Sequence, residues 1–349
     1  MLVKYEFKPG INREGTQFTA GTGWYDADKI RFRKGRAEQI GGWQKYSNNT
    51  FLGICRSLHD WVAAASTQYL GIGTNLKFYI NQGDAYYDVT PIRETTAAGD
   101  VTFAASNGSS TITVSDTNHG AVDGDFVTFS GAVSLGGNIT AAVLNQEYEI
   151  ASIIDNNSYT VSAKDTSGNA VTANSSDTGN GGTVVGAYQI NTGLNTYVAS
   201  SGFGAGTWGA GGWGGSTAIT AGNQLRLYSQ DTFGDDLIFN VRGGGIYYWD
   251  ETNGTGTRGV ALSDKAGAVG APILSLQTMV SETDRHTICF GCNPLGSTTL
   301  DPLLVRFSDQ ENPFDWTPTS TNTAGGVTLT AGSFIVGAIK TRQEILIFT

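Results

Sequence analysis

Proline, cysteine and histidine are scarce in this chain, at 7, 3 and 3 of 349 residues. Three cysteines cannot build a disulfide framework, and nothing in their number indicates an oxidising compartment. So little proline beside 48 glycines excludes a collagen or a proline-rich linker. With so few histidines, a histidine-based triad has little to draw on. Charged residues make up 15%, too few for long amphipathic helices laced with ion pairs. No apolar run approaches the ~20 residues of a membrane-spanning helix, so no membrane span is expected. The first residues, 1–9, are charged from Lys4 onward and lack an apolar signal core. These absences leave a soluble protein folded in a reducing cytosol as the expectation.

Charge is unevenly spread over the net −10. Residues 1–60 hold ten Lys/Arg against six Asp/Glu, whereas residues 94–199 hold ten Asp/Glu against one base, Lys164. Acidity therefore belongs to one segment and not to the whole protein.

What is abundant is turn chemistry: Gly, Thr, Ser and Asn between short apolar runs, the pattern of an all-β protein. Residues 304–318 read as an apolar strand that leaves the core at Ser308, enters an acidic, Pro-braced turn and closes on Trp316, which must bury nearby. Strands at 286–292 before it and 334–340 after it, with no helix between, read as one propeller blade handing over to the next. A first blade is expected from strands at 55–61, 69–73, 76–80 and 86–90. A second is expected from 223–228, 237–241 and 245–249, a third from about Pro272 to Trp316, and a fourth from Phe334. Between the first two, Thr-rich strands at 110–114, 125–129, 147–153 and 158–162 contain no Trp, and read as a separate insert.

The expected fold is an all-β, β-propeller-like body carrying an inserted small β-sandwich domain. Residues 1–93 supply N-terminal strands and the first blade, 94–199 the acidic insert, and 200–349 further blades. A propeller needs at least four blades to close and about three and a half are visible. The final residues, 344–349, form an apolar strand with no polar tail. The expectation is that the chain continues or that a partner completes the ring.

Few constellations suggest chemistry. Cys289 and Cys292 form a CxxC, but alternation along a strand sends them to opposite faces, which suits neither one metal nor a redox turn. Asp116, Asn118, Asp123 and Asp125 offer hard oxygen ligands without EF-hand spacing, so turn residues are favoured over calcium. Asp231, Asp235 and Asp236 beside Gly234 read as a solvated loop in preference to a glycosidase pair. No nucleophile elbow, Walker loop or dinucleotide fingerprint occurs. No catalytic, cofactor or metal site is expected, and the protein is read as a non-enzyme. Two surface features remain. Arg31, Arg33, Lys34 and Arg36 cluster on a hairpin whose Ile30 and Phe32 face the other way, a basic patch suited to an acidic protein face as much as to phosphates. Trp208 and Trp213 sit in a Gly/Trp loop, where they either fold back or anchor a neighbouring subunit.

The segments 9–13, 23–33 (Gly-Trp-Tyr-Asp-Ala-Asp-Lys-Ile-Arg-Phe-Arg), 41–43 and 305–318 resemble tail proteins of short-tailed bacteriophages, the tail-tube nozzle (tail hub, or stabilisation protein) above all. The resemblance covers residues 1–92 and 225–349. It implies a β-propeller subunit, six copies of which form a ring beneath portal and adaptor as the exit of the DNA channel. Also implied are contacts with tail fibres or spikes and a plug or needle, double-stranded DNA passing without specific binding, and a place in the virion tail after assembly in the host bacterial cytoplasm. The 94–199 insert departs from the minimal pattern and resembles the outer decorations of virion proteins. A carbohydrate- or receptor-binding tail component and a propeller glycosidase are the alternatives.

Overall fold

The computed structural model describes residues 7–18, 23–42, 44–179, 182–193, 227–342 and 344–349. The chain divides into two compact units, residues 1–48 and 49–349. The first contains a hairpin, β1 (Ile30–Arg33) and β2 (Arg36–Gln39), with Arg33 opposite Arg36. Lys34 and Gly35 both take positive φ, 50° and 77°, the backbone that lets a two-residue turn follow the twist of its strands. Ile30 and Phe32 are half-buried while Arg31 and Arg33 are exposed, as period-2 alternation requires.

In the second unit, β3 (Cys55–Val62), β4 (Gln68–Thr74), β5 (Phe78–Gln82) and β6 (Ala85–Asp88) pair in chain order as an antiparallel meander. The same order recurs in β15 (Tyr228–Phe233), β16 (Asp236–Val241), β17 (Ile246–Trp249) and β18 (Val260–Ala261). It recurs again in β19 (Ser275–Val280), β20 (Thr287–Cys292), β21 (Asp301–Phe307) and β22 (Gly325–Thr328). A hairpin of β23 (Gly337–Lys340) and β24 (Ile345–Phe348) follows. The fold is all-β and propeller-like. Its hydrophobic cores lie between successive sheets. Trp61, Tyr69 and Phe78 meet Leu237, Phe239 and Trp249 between the first and second. Ile238, Ile246 and Tyr248 meet Val280, Cys289 and Trp316 between the second and third. Met279, Phe290 and Val305 meet Ala338, Ile345 and Ile347 before the final hairpin. Trp316 is buried as expected, its indole N–H donating to the Pro313 carbonyl at 2.8 Å.

Between the first two blades run β7 (Ile92–Thr95), β8 (Thr102–Ala105), β9 (Thr111–Ser115), β10 (Phe126–Ser130), a single helical turn at Ala141–Leu144, β11 (Glu147–Asp155), β12 (Ser158–Ser162), β13 (Asp177–Gly179) and β14 (Val185–Gln189). They form one eight-stranded sheet in the order β13-β8-β9-β12-β11-β10-β14-β7. Four strand spacings separate β8 from β10, about 19 Å if the sheet were flat. Yet the rings of Phe103 on β8 and Phe129 on β10 lie 5.0 Å apart. The sheet therefore folds across itself around one core, sandwich-fashion, with two register shifts in β11 supplying extra bend.

Four local expectations are corrected. The first strand of the second blade is Tyr228–Phe233 and not 223–228, of which residues 223–226 lie outside the described residues. Asp231 reads as part of a solvated loop, yet Ser229, Gln230 and Asp231 are strand residues whose polar groups bond across blades. Cys289 and Cys292 also share one core and do not face oppositely. Gly291, at φ 58°, leaves the extended backbone between them, which breaks the alternation. The third blade also extends past Trp316 to Thr328.

Candidate functional site

The first strands β3, β15, β19 and β23 lie side by side and line one cavity of about 580 Å³. No backbone ladder joins them, so side chains do the joining. Gln230 Nε2 donates to Ser57 Oγ at 2.6 Å, from β15 to β3. Ser229 Oγ and Asp231 Oδ2 accept the backbone N–H groups of Thr278 and Val280 on β19, at 2.9 and 2.7 Å. The Gln277 amide reaches from β19 to both backbone groups of Ala338 on β23, at 2.8 and 2.7 Å. Lys340 of β23 closes the set with an ion pair to Asp231, 2.5 Å. Close approach depends on two glycines in β4. A Cβ on Gly71 would stand 2.3 Å from Gln230 Oε1, and one on Gly73 2.4 Å from the Tyr228 ring. His59 also lines this wall. Burial holds its imidazole below the ordinary range, against the pull of Asp231 and Asp60. The wall is polar and bonded across its strands, but Gln230 Oε1 and His59 Nε2 are buried without a hydrogen-bond partner.

The outward faces at the two ends of the blade stack are different in kind. On β3, Ser57, His59 and Trp61 face the second blade, so Leu58 and Val62 point away from it, each 62% exposed. On the final hairpin, Ala338, Ile345 and Ile347 face the third blade. Ile339, Leu346 and Phe348 point away, 55%, 47% and 55% exposed, with Ile339 opposite Leu346 in register. Val336 and Phe334 extend that apolar surface.

A third feature was not legible in the sequence. Lys77, 3% exposed, donates to Asp88 at 2.9 Å and to Glu147, and lies over the Phe126 ring at 4.5 Å. Arg258 approaches Asp88 at 3.4 Å and Glu147 at 3.8 Å, and Gln189 donates to Glu147 at 2.6 Å. This cluster joins the first blade, the second blade and the eight-stranded sheet. Burial pushes against the Asp88 charge, but Lys77 and Arg258 outweigh it and hold that carboxyl below its ordinary value.

The residues singled out in the sequence are placed as follows. Arg31, Arg33, Lys34 and Arg36 lie together on the exposed β1–β2 hairpin, and Arg31 pairs with Glu38 at 2.6 Å. Trp208 and Trp213 lie outside the described residues. Among the described residues no group of three or more His, Cys, Asp or Glu converges as a metal site. Asp116 accepts from the Tyr188 hydroxyl, Asp123 from the Ile153 N–H and Asp125 from the Val122 N–H. These are turn and core roles. Asp235 accepts from the Ala64 N–H and Asp236 from the Tyr248 hydroxyl, while Asp231 belongs to the axial wall. Burial drives the Cys289 thiol up to about 12 and Cys292 upward too, so both are protonated core side chains.

No protein-family model matches the chain, and no curated protein matches it. Among solved structures, the phage phi92 endosialidase is similar at a TM-score of 0.27 and 13% sequence identity, over 84% of this chain and 40% of that one. The chain thus spans less than half the length of that structure, and a likeness at this level carries no argument about shape or activity.

Proposed function

We propose that this chain is a structural protein of a bacteriophage tail, a subunit of the ring-shaped nozzle or hub of the DNA-ejection channel below portal and adaptor. It works by touching neighbours: further copies of itself, fibres or spikes, and a plug or needle. The motifs at 23–33 and 305–318 suggest the family. The observation that carries the reading is the succession of antiparallel meanders stacked through shared cores along one polar wall, an architecture for holding neighbours in place. The basic β1–β2 hairpin, with Arg33, Lys34 and Arg36 exposed, is assigned to the ring above it. For the carbohydrate-binding alternative, among the described residues of 94–199 Phe103, Phe126, Phe129, Tyr148, Tyr159 and Tyr188 are buried, and Tyr197 lies outside the described residues. Mass measurement in solution and electron micrographs of assembled particles test the proposal, and a closed ring of six copies is expected. A protein that stays single at high concentration, or a glycan array bound by the purified chain, overturns it.

A further inference from the structure

We infer that Lys77 and Glu147 condense into an amide, a covalent link between the first blade and the eight-stranded sheet, with Asp88 carrying the proton. A lysine amine is a nucleophile where it is desolvated and has a base to take its proton. Lys77 is 3% exposed, and its Nζ lies over the Phe126 ring at 4.5 Å. It donates to Asp88 Oδ2 at 2.9 Å and to Glu147 Oε1, so the fold itself supplies the encounter of amine and carboxylates. The surroundings give the two carboxylates different tasks. Asp88 Oδ1 accepts from the Thr90 N–H at 3.0 Å and from its hydroxyl at 2.5 Å, and Arg258 flanks both oxygens at 3.4 Å. Such bonds favour the charged carboxylate, the form that receives a proton. Glu147 turns its other oxygen, Oε2, to the Gln189 amide at 2.6 Å and the Arg258 guanidinium at 3.8 Å. These donors stand where negative charge gathers when an amine adds to the carboxyl carbon. Gln189 Oε1 is buried with no hydrogen-bond partner, and condensation creates an amide N–H, the kind of donor it lacks.

The step balances without a co-reactant. The Lys77 ammonium gives one proton to Asp88, and the freed amine bonds to Glu147 Cδ. The adduct then expels Oε1 as water, which takes one proton back from Asp88 and a second from the nitrogen. One ammonium and one carboxylate become a neutral amide and a water molecule, and Arg258 and Asp88 remain as a matched pair. Loss of two poorly solvated charges removes their desolvation cost, which favours the amide in this joint.

The test takes the full chain, folded and held for days at neutral pH, to intact mass measurement and tandem mass spectrometry of its tryptic peptides. The expected result is a chain one water lighter than its sequence, no cleavage after Lys77, and a branched peptide joining Lys77 to Glu147. A folded chain that keeps its full sequence mass overturns the inference, as does a missing water located at other residues. A branch from Lys77 to Asp88 overturns the roles assigned to the two carboxylates. Lys77→Arg and Glu147→Ala are expected to retain the full mass, and loss of water from either counts against the link. Asp88→Asn, with its fold checked by circular dichroism, is expected to condense about a hundredfold more slowly. An unchanged rate in that variant overturns the proton-carrying role.

Discussion

The eight-stranded sheet and the blade stack are made of the same kind of strand and reach stability differently. The sheet of residues 92–189 folds over its own core and buries every aromatic ring it has. The stack buries most of its aromatics between blades, as Trp61, Phe78, Phe239 and Trp249 show, and Tyr79 on the opposite face of β5 against Phe51. One region closes on a core of its own, while the other builds its cores between successive sheets. Charge differs in degree: the sheet lies in the segment with ten Asp/Glu to one Lys, whereas residues 200–349 hold thirteen Asp/Glu against eight Lys/Arg.

The largest expected effect that separates the two regions comes from Trp249→Ala. Its indole is fully buried between the first two blades, and truncation of such a residue costs about 3–5 kcal/mol. Calorimetry is expected to show the blade transition falling while that of the eight-stranded sheet stays in place. Loss of both together shows the sheet to be no independent unit. Lys77→Met comes next. It leaves Asp88 and Glu147 without their shared ammonium, at a cost of about 3 kcal/mol, at the low end for a broken buried pair because both carboxylates keep some exposure. Hydrogen exchange is expected to rise at Phe126 and Gln189, where the sheet meets the blades. A smaller effect concerns pH. The Asp88 carboxyl titrates lower in the folded protein than in the unfolded one, so its contribution is complete above its ordinary value of 3.8 and is lost as pH falls through the folded value. Urea titrations on either side of pH 3.8 should show this loss in the native chain and not in Asp88→Asn. The smallest effect is Arg31→Glu with Arg33→Glu. It breaks only an exposed pair, and the melting temperature should move by the equivalent of about 1 kcal/mol or less. Tail assembly should nonetheless fail, and normal particles from this double variant count against the hairpin's assigned role.

The blades could be read from sequence wherever a strand is half apolar. Cys55–Val62, Gln68–Thr74, Thr287–Cys292 and the burial of Trp316 all follow from alternation and turn residues. What failed was the axial wall. Tyr228–Phe233 is polar because its side chains bond to other strands, and a pattern of hydrophobicity cannot see a strand whose partners are carboxylate, hydroxyl and amide groups. Likewise the positive φ of Gly291 is a one-residue event that puts Cys289 and Cys292 into the same core. The Lys77 cluster draws on residues 77, 88, 147 and 258, too far apart along the chain for spacing to connect them.

The passage from β6 into β7 is a joint. Val89, Thr90 and Pro91 are all buried. Gly259 donates to the Val89 carbonyl at 2.9 Å and Ile190 to that of Pro91 at 3.0 Å. With Lys77 gripping the outlying sheet beside it, the acidic segment is mounted as a bracket and not hung as a pendulum. A tug on that segment is delivered as torque to the first two blades, the very place where the wheel is most densely filled with aromatic rings.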